Sequence, residues 1–471
     1  MSASPHPRFH SAVCLLLASA LALLVSAAAS PAAEPARPNF LVIVADDLGW
    51  GDVGWHGGPY KTPNLDRLCR EGVELDQHYV SPMCSPTRAA LLSGRYASRF
   101  GCTAAQAERV FPFGTVTLAS ALGEVGYETA ITGKWHLGSL PEWGPQRFGF
   151  DHGYGSLGGG CGPYDHRYKV GPFTETWHRN GTRITEEGHV TDLITREATR
   201  WLSARGEKPF LLYVPFTAVH IPIKEPQRWL DLYPEIAETD RKQYAACVSH
   251  LDDAVGEILA ALDRSGKREQ TMIVFFSDNG GTQARNDDPK YPPDDYPAGR
   301  AHGSNLPLRG NKGQLYEGGI RVPAFVNWQG QLSPGKFTAP MHAADWLPTL
   351  GALAGYQPSQ SLRLDGCNLW PWISGAEKPA PRALYWAGTR FQTAAVRDGD
   401  WKLFVDREKD KVELFNLADD PHEQSNLADK ETARVEQLRN LLAEIDKADN
   451  DSLAKEEASG KGTRKKAAPP D

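Results

Sequence analysis

The amino-acid sequence predicts an α/β fold, with helices packed on a mostly parallel sheet and a small antiparallel appendage at the C-terminal end. Three observations carry that expectation. Short apolar runs stop abruptly at polar residues: Phe40 to Ala45 before Asp46-Asp47, Pro209 to Phe216 leading to His220, and Thr271 to Ser277 before Asp278-Asn279. Strands buried on both faces read this way. Helical patterns lie between these runs, and strands alternating with helices argue for a parallel core sheet. From about Ala380 the texture shifts to short alternating pieces, as in strands with one solvated face.

Taken in order, the chain opens with Arg8 and His10 before an apolar run from Ala12 to Ala29, then Ser30-Pro31-Ala32-Ala33. Residues 1–33 are read as an export signal, with an uncleaved anchor as the alternative. Either way the remainder is expected outside the cytoplasm, periplasmic or secreted. A catalytic region is expected over residues 38–379. Its helices include Leu65, Leu68 and Cys69 after Pro63, the stretch Val190 to Ser203, and Tyr244 to Leu262. In the last of these Val248, Leu251, Val255, Leu259 and Leu262 recur at spacings of three and four, giving one apolar face. His250 and Asp252-Asp253 on that helix are expected to face solvent. Residues 380–449 read as a subdomain. Its strands are Ala383 to Trp386, Thr393 to Val396, Trp401 to Val405 and Val412 to Phe415, covered by a helix from Glu431 to Ala448. Residues 450–471, charged and small, are expected to be a disordered tail.

Composition narrows the function. Lys and Arg number 51 against 58 Asp and Glu, a net charge of -7, whereas nucleic-acid binders usually carry a basic surplus. Beyond the N-terminus no segment approaches the roughly 20 apolar residues needed to span a bilayer. Of seven cysteines, Cys14 lies in the signal. Cys69, Cys102, Cys161, Cys247 and Cys367 are scattered widely enough to allow one or two disulfides but no disulfide scaffold.

Ligands of open parallel sheets bind beyond the carboxyl ends of the strands. Asp46, Asp47, Asp278 and Asn279 sit at such ends and all offer oxygen, which suits a hard cation such as Ca²⁺ with about 6 to 8 oxygen ligands. Singly, each dipeptide reads equally well as a turn or cap. Cys84-Ser85-Pro86-Thr87-Arg88 opens a helix, so Cys84 lies where an anion is stabilised, with Arg88 one turn in. Cys84 reads either as a small buried hydrophobe or as a thiolate of lowered pKa.

Cys84-Ser85-Pro86-Thr87-Arg88 with Leu92-Ser93-Gly94 resembles the signature of the type I sulfatases, in which the Cys is oxidised to formylglycine (3-oxoalanine). Gly126 to His136 resembles the second signature of that family. Ser93 and Thr132 depart mildly from it and touch no chemical group. The resemblance extends through Asp278-Asn279-Gly280-Gly281, Leu308 to Gly313, Tyr316 to Arg321 and Asp345 to Leu350. It implies an alkaline-phosphatase-like α/β/α sandwich, Ca²⁺, and a separate formylglycine-generating maturation enzyme as partner. Asp46, Asp47, Asp278 and Asn279 match the Ca²⁺ ligands, completed by the formylglycine at Cys84. Arg88 matches the residue orienting the formylglycine, Lys134 and Lys312 the cations holding sulfate, and His136 and His220 the catalytic histidines.

The implied reaction is sulfate-ester hydrolysis. One hydroxyl of the hydrated aldehyde attacks sulfur, His220 protonates the leaving alkoxide, and the second hydroxyl allows sulfate to be expelled with His136 as base. The segments Asn305 to Gly310 and His342 to Leu350 look most like the arylsulfatase B (N-acetylgalactosamine-4-sulfatase) type, so the expected substrate is a sulfated carbohydrate cut from its end, or an aryl sulfate. A formylglycine-dependent phosphonate or phosphodiester hydrolase and a non-catalytic sulfated-glycan binder are the rivals. A two-zinc phosphatase is disfavoured because Asn279-Gly280, rather than His, follows Asp278.

Overall fold

The computed structural model describes residues 1–2, 37–106, 108–168, 173–286, 299–358 and 362–451. The expected export signal and the tail beyond Asp451 lie outside the described residues. The described residues from Pro38 to Asp451 belong to one compact unit.

Its centre is a ten-stranded sheet. In chain order the strands are β1 (Asn39–Ala45), β2 (Val73–Leu75), β3 (Glu128–Thr132), β4 (His152–Ser156), β5 (Trp177–Arg179), β6 (Thr182–Arg183), β7 (Phe210–Pro215), β8 (Thr271–Ser277), β9 (Ala324–Asn327) and β10 (Gly335–Phe337). Their spatial order is β10-β2-β9-β8-β1-β7-β3-β4-β5-β6. β1 pairs in parallel with both β8 and β7, and β3 pairs in parallel with β7 and β4. β9 runs antiparallel to β8 and β2, and β5 antiparallel to β4. The expected parallel core is therefore present, with antiparallel strands inserted towards both edges.

Both faces of the sheet are covered, which is why its strands are apolar throughout. Phe40, Val42 and Val44 of β1 pack with Met272, Val274 and Phe276 on one face. Helices α2 (Cys84–Ser93), α3 (Leu118–Glu124) and α6 (Trp346–Leu353) lie on that side. Leu41, Ile43 and Ala45 face the other way, with Ile273 and Phe275, onto α1 (Pro63–Arg70), α4 (Val190–Ser203) and α5 (Thr239–Arg264).

Strands β11 (Ala383–Ala387), β12 (Thr393–Asp398), β13 (Trp401–Asp406) and β14 (Lys411–Asn416) form the antiparallel C-terminal sheet. Helix α7 (Thr432–Asp446) packs Leu438 and Leu442 against Tyr385, Val396, Leu403 and Leu414. The first residues of the expected tail are tied down: Asn450 donates to the Ser98 carbonyl at 2.9 Å, and Arg95 pairs with Asp451 at 2.9 Å.

Cys69, Cys84, Cys102, Cys161, Cys247 and Cys367 are all free thiols, so the described residues contain no disulfide, a point the spacing leaves open. One expectation is corrected. His250 and Asp252 are buried rather than solvated, because α5 packs against α1 and α4. Asp252 accepts the Asn64 and Leu65 backbone N–H groups at 3.1 and 2.8 Å, satisfying the first turn of α1, whose N–H groups have no partner within the helix.

Candidate active site

Register assembles the site. Ala45 pairs with Ser277 across β1 and β8, so Asp46 and Asp278 leave adjacent strands side by side. Asp278 N donates to the Ala45 carbonyl at 3.0 Å, and Asp47 N donates to Asp278 Oδ1 at 3.3 Å. Ser277 Oγ accepts from Leu48 N and donates to the Asn279 carbonyl, each at 2.9 Å, holding both turns. Lys134, just past β3, donates its backbone N–H to Pro215 at 2.7 Å. The strands thus deliver carboxylates and a lysine to one edge of the sheet.

Helix α2 begins at Cys84, and all ten of its residues are buried. One turn in, Arg88 donates from Nη2 and Nε to Asp278 Oδ2 at 2.7 and 3.0 Å, and from Nη1 to the Lys134 carbonyl at 2.6 Å. Lys134 Nζ lies 2.6 Å from Asp46 Oδ2. Lys312, on the loop after Asn311, brings Nζ to 2.7 Å from Asp47 Oδ1, and Asn279 Nδ2 donates to that same oxygen at 2.7 Å. His220 Nδ1 contacts the Ile221 carbonyl at 2.5 Å, leaving Nε2 facing Asp47 Oδ2 at 3.8 Å. Asp47 and His136 both hold left-handed backbone, with φ of 68° and 56°. Such conformations in non-glycine residues cluster at functional sites.

All ten residues singled out from sequence therefore meet in one place. Oxygen and sulfur atoms of Asp46, Cys84 and Asp278 lie within 4.8 Å of one another, as do ligand atoms of Asp46, Asp47 and His220. Asp46 Oδ1, Asn279 Oδ1 and His136 Nδ1 are buried without a hydrogen-bond partner. Buried acceptors are normally satisfied. Two orphaned oxygens beside three buried carboxylates fit a hard, oxygen-seeking cation.

Burial pushes the Asp46 carboxyl up to about 7 even with Lys134 beside it. Burial works the same way on Asp47, but Lys312 and His220 outweigh it and hold that carboxyl below the usual range. Burial, followed by Lys312, brings His220 down to about 3, and burial with Lys134 and Arg88 keeps His136 neutral. The Cys84 thiol is raised, chiefly by burial. That disfavours a thiolate nucleophile.

The Gly158-Gly159-Gly160 run forms a loop that lies on the site. A Cβ on Gly159 would fall 2.2 Å from His136 Nε2, and one on Gly160 would meet the Tyr168 ring at 2.8 Å and His220 Cε1 at 3.9 Å. The run of three glycines was the available signal.

A sequence model of the sulfatase family matches residues 38–356. The chain belongs to the sulfatase family. It is 32% identical to arylsulfatase J of Mus musculus, over 88% of this chain and 77% of that protein. It is 33% identical to N-acetylgalactosamine-6-sulfatase of Mus musculus, over 83% and 75% respectively. Among solved structures it resembles Ps i-CgsB in complex with k-i-k-neocarrahexaose, with a TM-score of 0.79 and 31% identity over 88% of this chain and 93% of that one. As a sulfatase the chain is a sulfuric ester hydrolase. The names of these relatives do not single out the 4-sulfatase subtype expected from residues 305–310 and 342–350.

Proposed function

We propose that this sulfatase removes sulfate from the end of a sulfated carbohydrate, outside the cytoplasm, with a nucleophile made from Cys84 and a bound Ca²⁺. The convergence of two buried cations (Arg88 and Lys134), the half-buried Lys312 and two orphaned acceptors on the buried Cys84 carries this reading. The carbohydrate class is supported by the neocarrahexaose complex and the N-acetylgalactosamine-6-sulfatase among the similar proteins.

Asp46, Asp47, Asp278 and Asn279 would hold the cation together with the modified Cys84. Bound there, Ca²⁺ supplies positive charge that offsets the carboxylates and raises the acidity of a neighbouring hydroxyl. Formylglycine at position 84 supplies a hydrated aldehyde, whose two hydroxyls let one attack and the other drive release. A sulfate ester is a monoanion, so neutralising its charge matters more than a strong base. Lys134 and Lys312 flank the cluster and take that role, while Arg88 braces Asp278 and the Lys134 carbonyl. His220 rests neutral, with Nε2 open. An anionic sulfate beside it raises its proton affinity, so that it can hand a proton to the departing sugar oxygen. His136, packed against Gly159, is in this reading the base that takes a proton during release.

Mass spectrometry of the peptide containing Cys84 tests the reading. Conversion of thiol to aldehyde exchanges sulfur for oxygen with loss of two hydrogens, a decrease of about 18 Da. The expected result is that decrease in protein made alongside a maturation enzyme, with sulfate release from sulfated sugars. An unmodified thiol in active protein would overturn it.

A further inference from the structure

A cavity of about 450 Å³ opens between the loop before Lys312 and a turn of the C-terminal subdomain. Its walls include Ser304, Asn305, Arg309, Asn311, His422 and Gln424. None of the residues placed above in the catalytic cluster lines it. Pockets of roughly 300 Å³ and more accept small organic ligands.

The cavity and the catalytic cluster share two stretches of backbone. Asn311 lines the cavity, and the next residue is Lys312, whose Nζ meets Asp47. Asn305 Oδ1 accepts from Gly281 N at 2.7 Å, and its Nδ2 donates to the Gly281 and Gly310 carbonyls at 2.9 and 3.1 Å. This clamps the cavity wall to the turn that carries Asp278 and Asn279.

The opposite wall is built with equal care. Glu423 holds left-handed backbone with φ 56°, and its side chain is fully buried. Its Oε2 accepts from Glu317 N at 2.7 Å, its Oε1 lies 2.8 Å from Lys402 Nζ, and its carbonyl accepts from Arg309 Nη1 at 2.8 Å. With Glu423 anchored inward, its neighbours His422 and Gln424 line the cavity. Arg309 is fixed as well, its guanidinium stacked 3.9 Å from the Tyr316 ring centre and 3.3 Å from Glu413.

The lining is chemically one-sided. It holds an arginine, a histidine, a serine hydroxyl and four amide side chains, of which Asn305 is already engaged by Gly281 and Gly310, with no carboxylate. Amides pair with hydroxyls as both donor and acceptor, and the arginine disfavours a cationic guest. Leu306, 75% exposed at the rim beside Pro307, offers an apolar surface.

We propose that this cavity is a subsite for the saccharide unit adjoining the sulfated one, neutral or anionic, so that the enzyme grips an oligosaccharide rather than a lone sulfated sugar. This inference rests on the carbohydrate reading above. The test is kcat/KM for sulfate release by the formylglycine-bearing enzyme from sulfated galactose and sulfated N-acetylgalactosamine. Each is offered as the monosaccharide and as a tetrasaccharide ending in the same unit, with 4-nitrophenyl sulfate as the sugar-free probe. The expected result is a preference of about ten-fold or more for the tetrasaccharide. In the double variant His422→Ala/Gln424→Ala that ratio falls towards one, with the melting temperature held. Equal kcat/KM for both lengths in the wild type overturns the subsite and leaves the carbohydrate reading standing, as does a double variant that keeps the wild-type ratio. Turnover of 4-nitrophenyl sulfate with no saccharide cleaved overturns the carbohydrate reading and the subsite with it. No turnover of any probe removes the underlying mechanism.

Discussion

Lys134 Nζ lies 2.6 Å from Asp46 Oδ2, and neither side chain has any solvent exposure. The lysine balances a buried carboxylate in the folded chain, and in the function proposed above it also presents charge to an anionic substrate. Lys134→Ala is expected to lower stability by about 3–5 kcal/mol in chelator, as removal of one partner of a buried pair does. Added Ca²⁺ should recover part of that loss by binding the folded state. Sulfate release should fall by about 100-fold or more. Urea melts in EDTA and in Ca²⁺, alongside ion chromatography of released sulfate, check both effects. An unchanged melt in EDTA would sink the structural half.

Gly159 supports His136 by having no side chain. An alanine Cβ would sit 2.2 Å from Nε2 and 2.5 Å from Cε1 of a ring that is itself buried, so the ring must shift. Gly159→Ala is expected to reduce kcat by about 10- to 100-fold, the scale of an ångström-sized misplacement. The fold should be retained, and His136→Ala should add little on top of it. Full additivity in that double-mutant cycle would argue against a role for Gly159 through His136.

The C-terminal sheet is joined to the catalytic region by a buried triad. Lys402 Nζ lies 2.8 Å from both Glu317 Oε1 and Glu423 Oε1, with all three side chains at most 1% exposed. Lys402→Ala strands two carboxylates and is expected to destabilise by about 3–5 kcal/mol. Adding Glu317→Gln should restore part of it. Chemical denaturation midpoints of the single and double variants decide the matter, and equal midpoints for wild type and Lys402→Ala would refute the prediction.

His250 gives the fold a pH dependence away from the catalytic cluster. Burial lowers its proton affinity, but bonds to Asp192 at 3.1 Å and Glu225 at 2.7 Å win and raise it to about 9. His189 also faces Glu225, at 3.6 Å, and stays neutral through burial, while Arg228 pairs with Asp192 at 2.9 Å. A folded pKa above the unfolded value contributes stability that is complete below about 6.5 and disappears as pH rises through about 9. The change is on the order of 3 kcal/mol. Urea midpoints of wild type should fall across that window, and those of His250→Gln should fall less.

The sequence made the frame of the fold readable because β1, β7 and β8 are buried on both faces and so are apolar without interruption. The acidic ends of β1 and β8 were readable for the same reason: a carboxylate stands out beyond an apolar run of five or six residues. Short elements were less visible. β2, β9 and β10 are three or four residues each, too brief for a periodic pattern. The burial of His250 and Asp252 was hidden because α5 meets α1 and α4 on flanks of the helix that are not apolar. There Asp252 serves the backbone of another helix, and His250 joins two acids distant in sequence. Glu423 went unread because it acts through the residues beside and against it, which one-dimensional spacing does not encode.

Cys84 is 2% exposed at the root of a helix with every residue buried, beneath turns that β1 and β8 form only after pairing across some 230 residues of sequence. In the finished fold no enzyme of ordinary size can reach that thiol. If Cys84 is the residue modified, as proposed above, its oxidation is tied to time: it would have to happen while the chain is still open, before the segment that carries Asp278 arrives. On that reading a molecule that folds ahead of its modification is locked out of activity, however perfect its remaining side chains. The share of active protein in a preparation then measures a race between chain closure and chemistry.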